Sequence, residues 1–156
     1  MQKKQENLKE SIITMEQKLM PEYYQSRQGK EFTEWLVKMC ETRRKLIVDT
    51  FDQDDKKEMF LEKHKIPKAS VRFRISDSHG CIVDEILKSN IDVTILMTGG
   101  DTLMGYMKKI GCTQIEPLCE IEQGIVASNI ICHDHTVQVI SKSGDSEPRM
   151  LCALLQ

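Results

Sequence analysis

The sequence predicts an α/β domain: a layered α/β/α arrangement with a mixed sheet, helices at the N-terminus and a late β-hairpin. Three observations carry that expectation. Apolar residues in the first half recur at helical spacing. From residue 92 onward short apolar runs alternate with helical ones. Seven of the eight glycines lie after residue 68, where strands and helices must be joined by tight turns. With 156 residues, 40% hydrophobic and 29% charged, the chain is long enough for one core and too apolar for a fully disordered segment. Charge is divided unevenly. Residues 1–68 hold 15 Lys/Arg and 13 Asp/Glu, whereas residues 69–156 hold 7 and 11.

Leu8, Ile12, Met15 and Leu19 fall at i, i+4, i+7 and i+11 and predict a first helix, interrupted by Pro21. Phe32, Trp35, Leu36 and Met39 predict a second across 28–44. These elements make residues 1–44 an N-terminal helical segment packing on an α/β unit of residues 45–156. Lys45–Thr50 reads as a strand, followed by a charged helix near 53–64 and a break at Pro67. Ile75, Ile82, Val83, Ile86 and Leu87 predict a helix with Ser76 or Ser78 as its cap. Val93–Thr98 has the β-branched, apolar character of a buried central strand. It runs through Gly99 and Gly100 into a helix marked by Leu103, Met104, Met107 and Ile110 and stopped by Gly111. Ile115–Ile121 reads as extended despite Pro117. Val126–Cys132 and Thr136–Ser141 read as a hairpin around His133, Asp134 and His135, and residues 147–156 as a final short helix.

The net charge of −2 and the interspersed basic residues argue against nucleic acid and against an anionic membrane as partners. A charged start and the shortness of every apolar run predict a soluble, cytoplasmic protein. The six scattered cysteines, without a CxxC pair, fit reduced and buried thiols. Cys132, His133 and His135 resemble a zinc cluster. However, neighbours on a strand face opposite ways, and a histidine-bearing hairpin turn is the simpler reading.

The chemistry concentrates at Gly99, Gly100, Asp101 and Thr102. A buried strand passing through two glycines into a helix sets unpaired backbone N–H groups and the positive helix end at the strand's carboxyl terminus, which favours phosphate. Thr102 adds a hydroxyl, and Asp101 can hold magnesium or orient a nucleophile. The alternative is a tight turn that merely needs positive φ. Neither GxxxxGK[ST] nor GxGxxG is present. A second strand ends in Lys142, Ser143 and Gly144, which offer a cation, a hydroxyl and an open backbone, or an ordinary surface turn.

In order, Thr98–Thr102, Ile110–Gly111, Glu120–Val126 with Gly124, and Ile140–Gly144 resemble the C-terminal nucleotide-binding domain of the four-carbon acid sugar kinase family. The resemblance is strongest over about 92–144. It implies ATP with Mg2+ as cofactors and contacts from Gly99, Gly100, Asp101, Thr102 and Gly144. Lys142 and Ser143 share the last loop, and Gly124 would shape another loop at the pocket. Two departures stand out. The family continues beyond Lys-Ser-Gly with glycine and phenylalanine, whereas here Asp145, Ser146, Glu147 and Pro148 follow. Family kinases also carry a sugar-acid domain for which 156 residues leave no room.

The expected function is therefore the ATP-binding domain of a kinase acting on four-carbon sugar acids of the threonate, erythronate or 3-oxo-tetronate type. The sugar acid would be supplied through a missing N-terminal domain or a partner chain, and the isolated chain would be inactive alone. The alternative is a catalytically inactive regulatory or scaffold domain of the same fold, whose apolar stripes dock a partner or a second copy as a homo-oligomer.

Overall fold

The computed structural model describes residues 8–42, 45–49, 56–91, 93–132 and 135–142. Strand β1 (Leu8–Ile12) leads into the single-turn helix α1 (Met15–Leu19), a 3-10 turn (Pro21–Gln25) and helix α2 (Arg27–Thr42). Strand β2 (Lys45–Asp49) and helix α3 (Lys56–Lys63) follow, then a 3-10 turn (Lys68–Ser70) and helix α4 (Val71–Lys88). The remaining elements are β3 (Ile95–Thr98), α5 (Gly100–Lys109), β4 (Gln114–Glu122), β5 (Ile125–Cys132) and β6 (His135–Lys142).

The expected mixed sheet is present, with four strands in the order β3-β6-β5-β4. β3 runs parallel to β6, and β6, β5 and β4 are antiparallel neighbours. A separate pair joins β1 and β2 in parallel, from Leu8 opposite Lys45 to Ile12 opposite Asp49. Met97, Ile130 and Val139 from β3, β5 and β6 pack with Val83 and Tyr106 from α4 and α5 in one core cluster. A second cluster sets Cys81, Ile82 and Ile86 of α4 against Ile13, Tyr24 and Leu36. Helix α4 thus joins both cores. The α2 stripe is inside: Leu36 is fully buried, with Phe32 and Trp35 packed around the same cluster.

Several elements differ from the sequence reading. Leu8–Ile12 is a strand rather than helix. A spacing of four fits a period of two as well as one of 3.6, so Leu8 and Ile12 could not separate the alternatives. The discriminating signal is a capping box at Thr14, whose side chain accepts from Gln17 N while Gln17 Oε1 accepts from Thr14 N. Helix α4 begins at Val71, so Ser76 and Ser78 are buried within it and cap nothing. β3 lies at one edge of the four-stranded sheet rather than at its centre. Pro117 is tolerated because β4 is the opposite edge strand, and the pairing shifts register between Pro117 and Cys119. The expected helix over 147–156 lies outside the described residues.

Helix ends follow local chemistry. Gly111, at φ 68°, closes α5 as predicted, with Cys112 N donating to Met107 O and Gly111 N to Lys108 O. The same motif ends α3, where Ile66 N donates to Leu61 O, but Lys65 holds the left-handed position at φ 52°. Replacing it with glycine relieves that strain. Lys65→Gly is expected to raise stability by about 0.5–1 kcal/mol in chemical denaturation. Unchanged or reduced stability would contradict this account.

Helices α4 and α5 meet backbone to backbone. A Cβ placed on Gly80 would overlap the Gly105 carbonyl oxygen, and one on Gly105 would overlap the Ser76 carbonyl oxygen. This approach fixes where α5 starts.

Candidate functional site

β3 delivers the chain to the start of α5. Gly99, the N-cap residue, sits at φ 84° and ψ 133°, a conformation essentially restricted to glycine. Gly100 opens the helix. A Cβ built on either residue meets nothing within 4 Å, so the junction faces open space. The first amides of a helix have no acceptor within it, and here they stand at its positive end. The local backbone therefore has the open, glycine-bearing helix start on which the expectation of an anion site rests.

The register brings the second predicted loop alongside. Thr98 pairs with Lys142 across the parallel β3 and β6, and Gly99 N continues the ladder by donating to Lys142 O at 3.0 Å. Both strands thus release their chains at the same end of the sheet. Lys142 is only 6% exposed there. Its antiparallel neighbour is Ile125, so the β4–β5 turn with Gly124 (φ 76°) lies at this end too. Gly124 N donates to Glu120 Oε1 at 3.0 Å. The structure therefore gathers Gly99, Gly100, Asp101, Thr102, Gly124 and Lys142 at one end of the sheet. Ser143 and Gly144 lie outside the described residues.

One group of contacts was not anticipated. Arg72, Ser76 and His79 lie at i, i+4 and i+7 along α4, and all three reach the first turn of α5. Arg72 grips Asp101 with both arms, Nε to Oδ2 at 2.6 Å and Nη2 to Oδ1 at 2.7 Å. Ser76 Oγ donates to Asp101 O at 2.5 Å. His79 Nδ1 lies 3.0 Å from Thr102 Oγ1. Because that hydroxyl donates to Thr98 O at 3.4 Å, it is placed to accept from Nδ1–H. A groove of about 410 Å³ is lined by Val71, Arg72, Ile75, Ser76 and His79 of α4, by Lys68 just before it, and by Asp101 and Thr102 of α5. The signal in the sequence was the polar Arg-Ser-His stripe on a helix. Reading Ser76 as a cap concealed it.

The hydrogen bonds from Arg72, reinforced by its charge, hold the Asp101 carboxyl below the usual carboxylate range. Both oxygens serve the guanidinium, so a magnesium ion at Asp101 would have to share the carboxylate with Arg72. The carboxyl's depressed titration makes the pair's contribution present above the unfolded carboxylate value and lost as the pH falls through the folded one. NMR titration of Asp101 is expected to give a midpoint below that of a free aspartate, moving up in Arg72→Met. Equal midpoints in the two proteins would refute the assigned cause.

Among the described residues no three His, Cys, Asp or Glu side chains form a metal-binding group. His133 and the side chains of Cys132 and His135 lie outside the description, and with them the zinc alternative. No helix among the described residues is long and apolar enough to cross a membrane. Residues 4–146 match a family model described as "Nucleotide-binding C-terminal domain". Comparison with curated proteins and with solved structures gave no match.

Proposed function

The chain belongs to the nucleotide-binding C-terminal domain family, and from that premise we propose that it is the ATP-binding domain of a kinase for four-carbon sugar acids. The observation that carries the reading is the shared end of the sheet. The glycine junction after β3 and the Lys142 end of β6 lie side by side, with Gly124 beside them. Gly99 and Gly100 let phosphate oxygens approach the main chain, and the amides at the start of α5 receive them. The Thr102 hydroxyl, accepting from His79, would turn its single hydrogen from Thr98 O to the same anion. Lys142 borders the site from β6, and the family resemblance assigns further contacts to Ser143 and Gly144. Phosphoryl transfer depends mainly on positioning and charge neutralisation, and this end of the sheet provides fixed dipoles for both.

Magnesium, carried on the phosphates, supplies further charge neutralisation when bound. Asp101 is the residue through which the chain would meet it, sharing its carboxylate with Arg72. The sugar acid itself is supplied by another domain or a partner chain, so the isolated chain binds nucleotide without turning it over.

The test is thermal unfolding in rising ATP with magnesium. At a concentration 100 times Kd the native state gains about 2.7 kcal/mol, a shift of several degrees for a chain of this size. Absence of any shift at millimolar ATP would sink the reading and favour the second one, a non-catalytic regulatory or scaffold domain. That alternative has its own support in β4, which is exposed along its whole length and presents Ile115, Leu118 and Ile121 to solvent.

A further inference from the structure

We propose that Arg72, Ser76 and His79 on α4 are the positioning residues of the nucleotide junction, with Arg72 cancelling the charge of Asp101 so that a polyphosphate can approach the start of α5. The inference rests on the nucleotide reading above and adds to it the means by which the junction is set.

The reasoning begins with a conflict. The second residue of α5 is a carboxylate, which the helix N-terminus favours but which repels phosphate arriving at the same amides. The bidentate fork from Arg72 resolves that conflict by making the pair neutral overall. Ser76 and His79 act on the same turn by different routes. Ser76 Oγ ties the carbonyl of Asp101, and His79 fixes the direction of the Thr102 hydroxyl. All three come from one face of one helix, and that helix is locked against α5 through Gly80 and Gly105. The orientation of the junction is therefore a property of α4 as much as of the glycine motif.

A second cross-link between the same helices provides the control. Lys108 Nζ on α5 donates to both carboxylate oxygens of Asp77 on α4, at 2.8 and 3.0 Å, away from the junction. A purely structural role for Arg72 would make its loss resemble the loss of Lys108.

The experiment is a double-mutant cycle read by MgATP affinity in calorimetry, with amide NMR of the nucleotide-free chain alongside. Arg72→Met is expected to weaken MgATP about tenfold when Asp101 is present and less than twofold in the Asp101→Asn background. His79→Ala should weaken it about fivefold and His79→Asn, which can place a donor near Nδ1, should restore most of the loss. Lys108→Ala should leave affinity within twofold. A tenfold loss from Arg72→Met that persists in Asp101→Asn, or equal losses from Arg72→Met and Lys108→Ala, would overturn charge cancellation. Without nucleotide, Arg72→Met and His79→Ala should shift the amide resonances of Gly100, Asp101 and Thr102, whereas Lys108→Ala should not. Unmoved resonances would overturn the positioning role whether or not ATP binds. Shifted resonances in a chain that binds no ATP would support positioning while removing the nucleotide reading.

Discussion

Gly105→Ala is expected to destabilise the protein by at least about 2 kcal/mol, against the sign that helix propensity predicts. In the interior of an exposed helix the exchange would gain up to about 1 kcal/mol, because alanine loses less backbone freedom on folding. Here the added methyl group would overlap the Ser76 carbonyl oxygen and carbon, which are backbone atoms of a packed helix and cannot rotate aside. Relief requires α4 and α5 to separate, which opens the core shared by Val83, Met97 and Tyr106. At about 2–4 °C per kcal/mol for a chain of this size, the midpoint of thermal unfolding should fall by about 4 °C or more. Gly80→Ala should act in the same direction, since its methyl group meets the Gly105 carbonyl from the other side. A melting temperature at or above that of the unaltered protein would show that the helices are not in backbone contact.

That interface also marks where sequence reasoning stopped. Within the described residues, the second half of the chain was legible, because its signals are local. Val93–Thr98 is β-branched and apolar, Gly111 caps a helix, and two extended runs flank a polar turn at 133–135. The structure places a strand, a helix end and a hairpin there. What sequence does not encode locally is pairing. No feature of Leu8–Ile12 announces that Lys45–Asp49 will be its parallel partner, and the helix-compatible spacing of two leading residues concealed the strand. Likewise, β3 could be recognised as a strand, but its place at an edge depends on a parallel partner more than 40 residues later in the chain.

The candidate site divides in the same way. Gly99, Gly100 and Lys142 could be found as motifs, and their adjacency follows from one register, Thr98 opposite Lys142, which no motif states. The α4 contacts were not found because nothing in a single sequence links Arg72 to Asp101, 29 residues away. Glycine at 80 and 105 was visible, yet its meaning as a close helix approach appears only when the two helices are seen together. Motifs pointed to the candidate junction, and long-range packing decides how it is held.

The two junction glycines should separate under mutation in a way that tests the proposed site itself. Gly99 holds φ 84°, so Gly99→Ala introduces backbone strain of about 1–3 kcal/mol although its methyl group would touch nothing. Its effect on ATP would therefore be mixed with an effect on folding. Gly100 has no such constraint, being the first residue of a right-handed helix with open space around its would-be Cβ. Gly100→Ala should leave the nucleotide-free protein within about 1 kcal/mol of the original, on the more stable side if on either. If phosphate oxygens lie against this stretch of main chain, the same methyl group occupies the space they need. MgATP affinity should then fall at least tenfold, equivalent to about 1.4 kcal/mol. The decisive comparison is melting temperature with and without saturating nucleotide: an intact baseline with a lost ATP-induced shift assigns the anion to Gly100. A Gly100→Ala protein with both baseline and shift preserved would place the phosphates elsewhere at this end of the sheet and remove the glycine junction from the site.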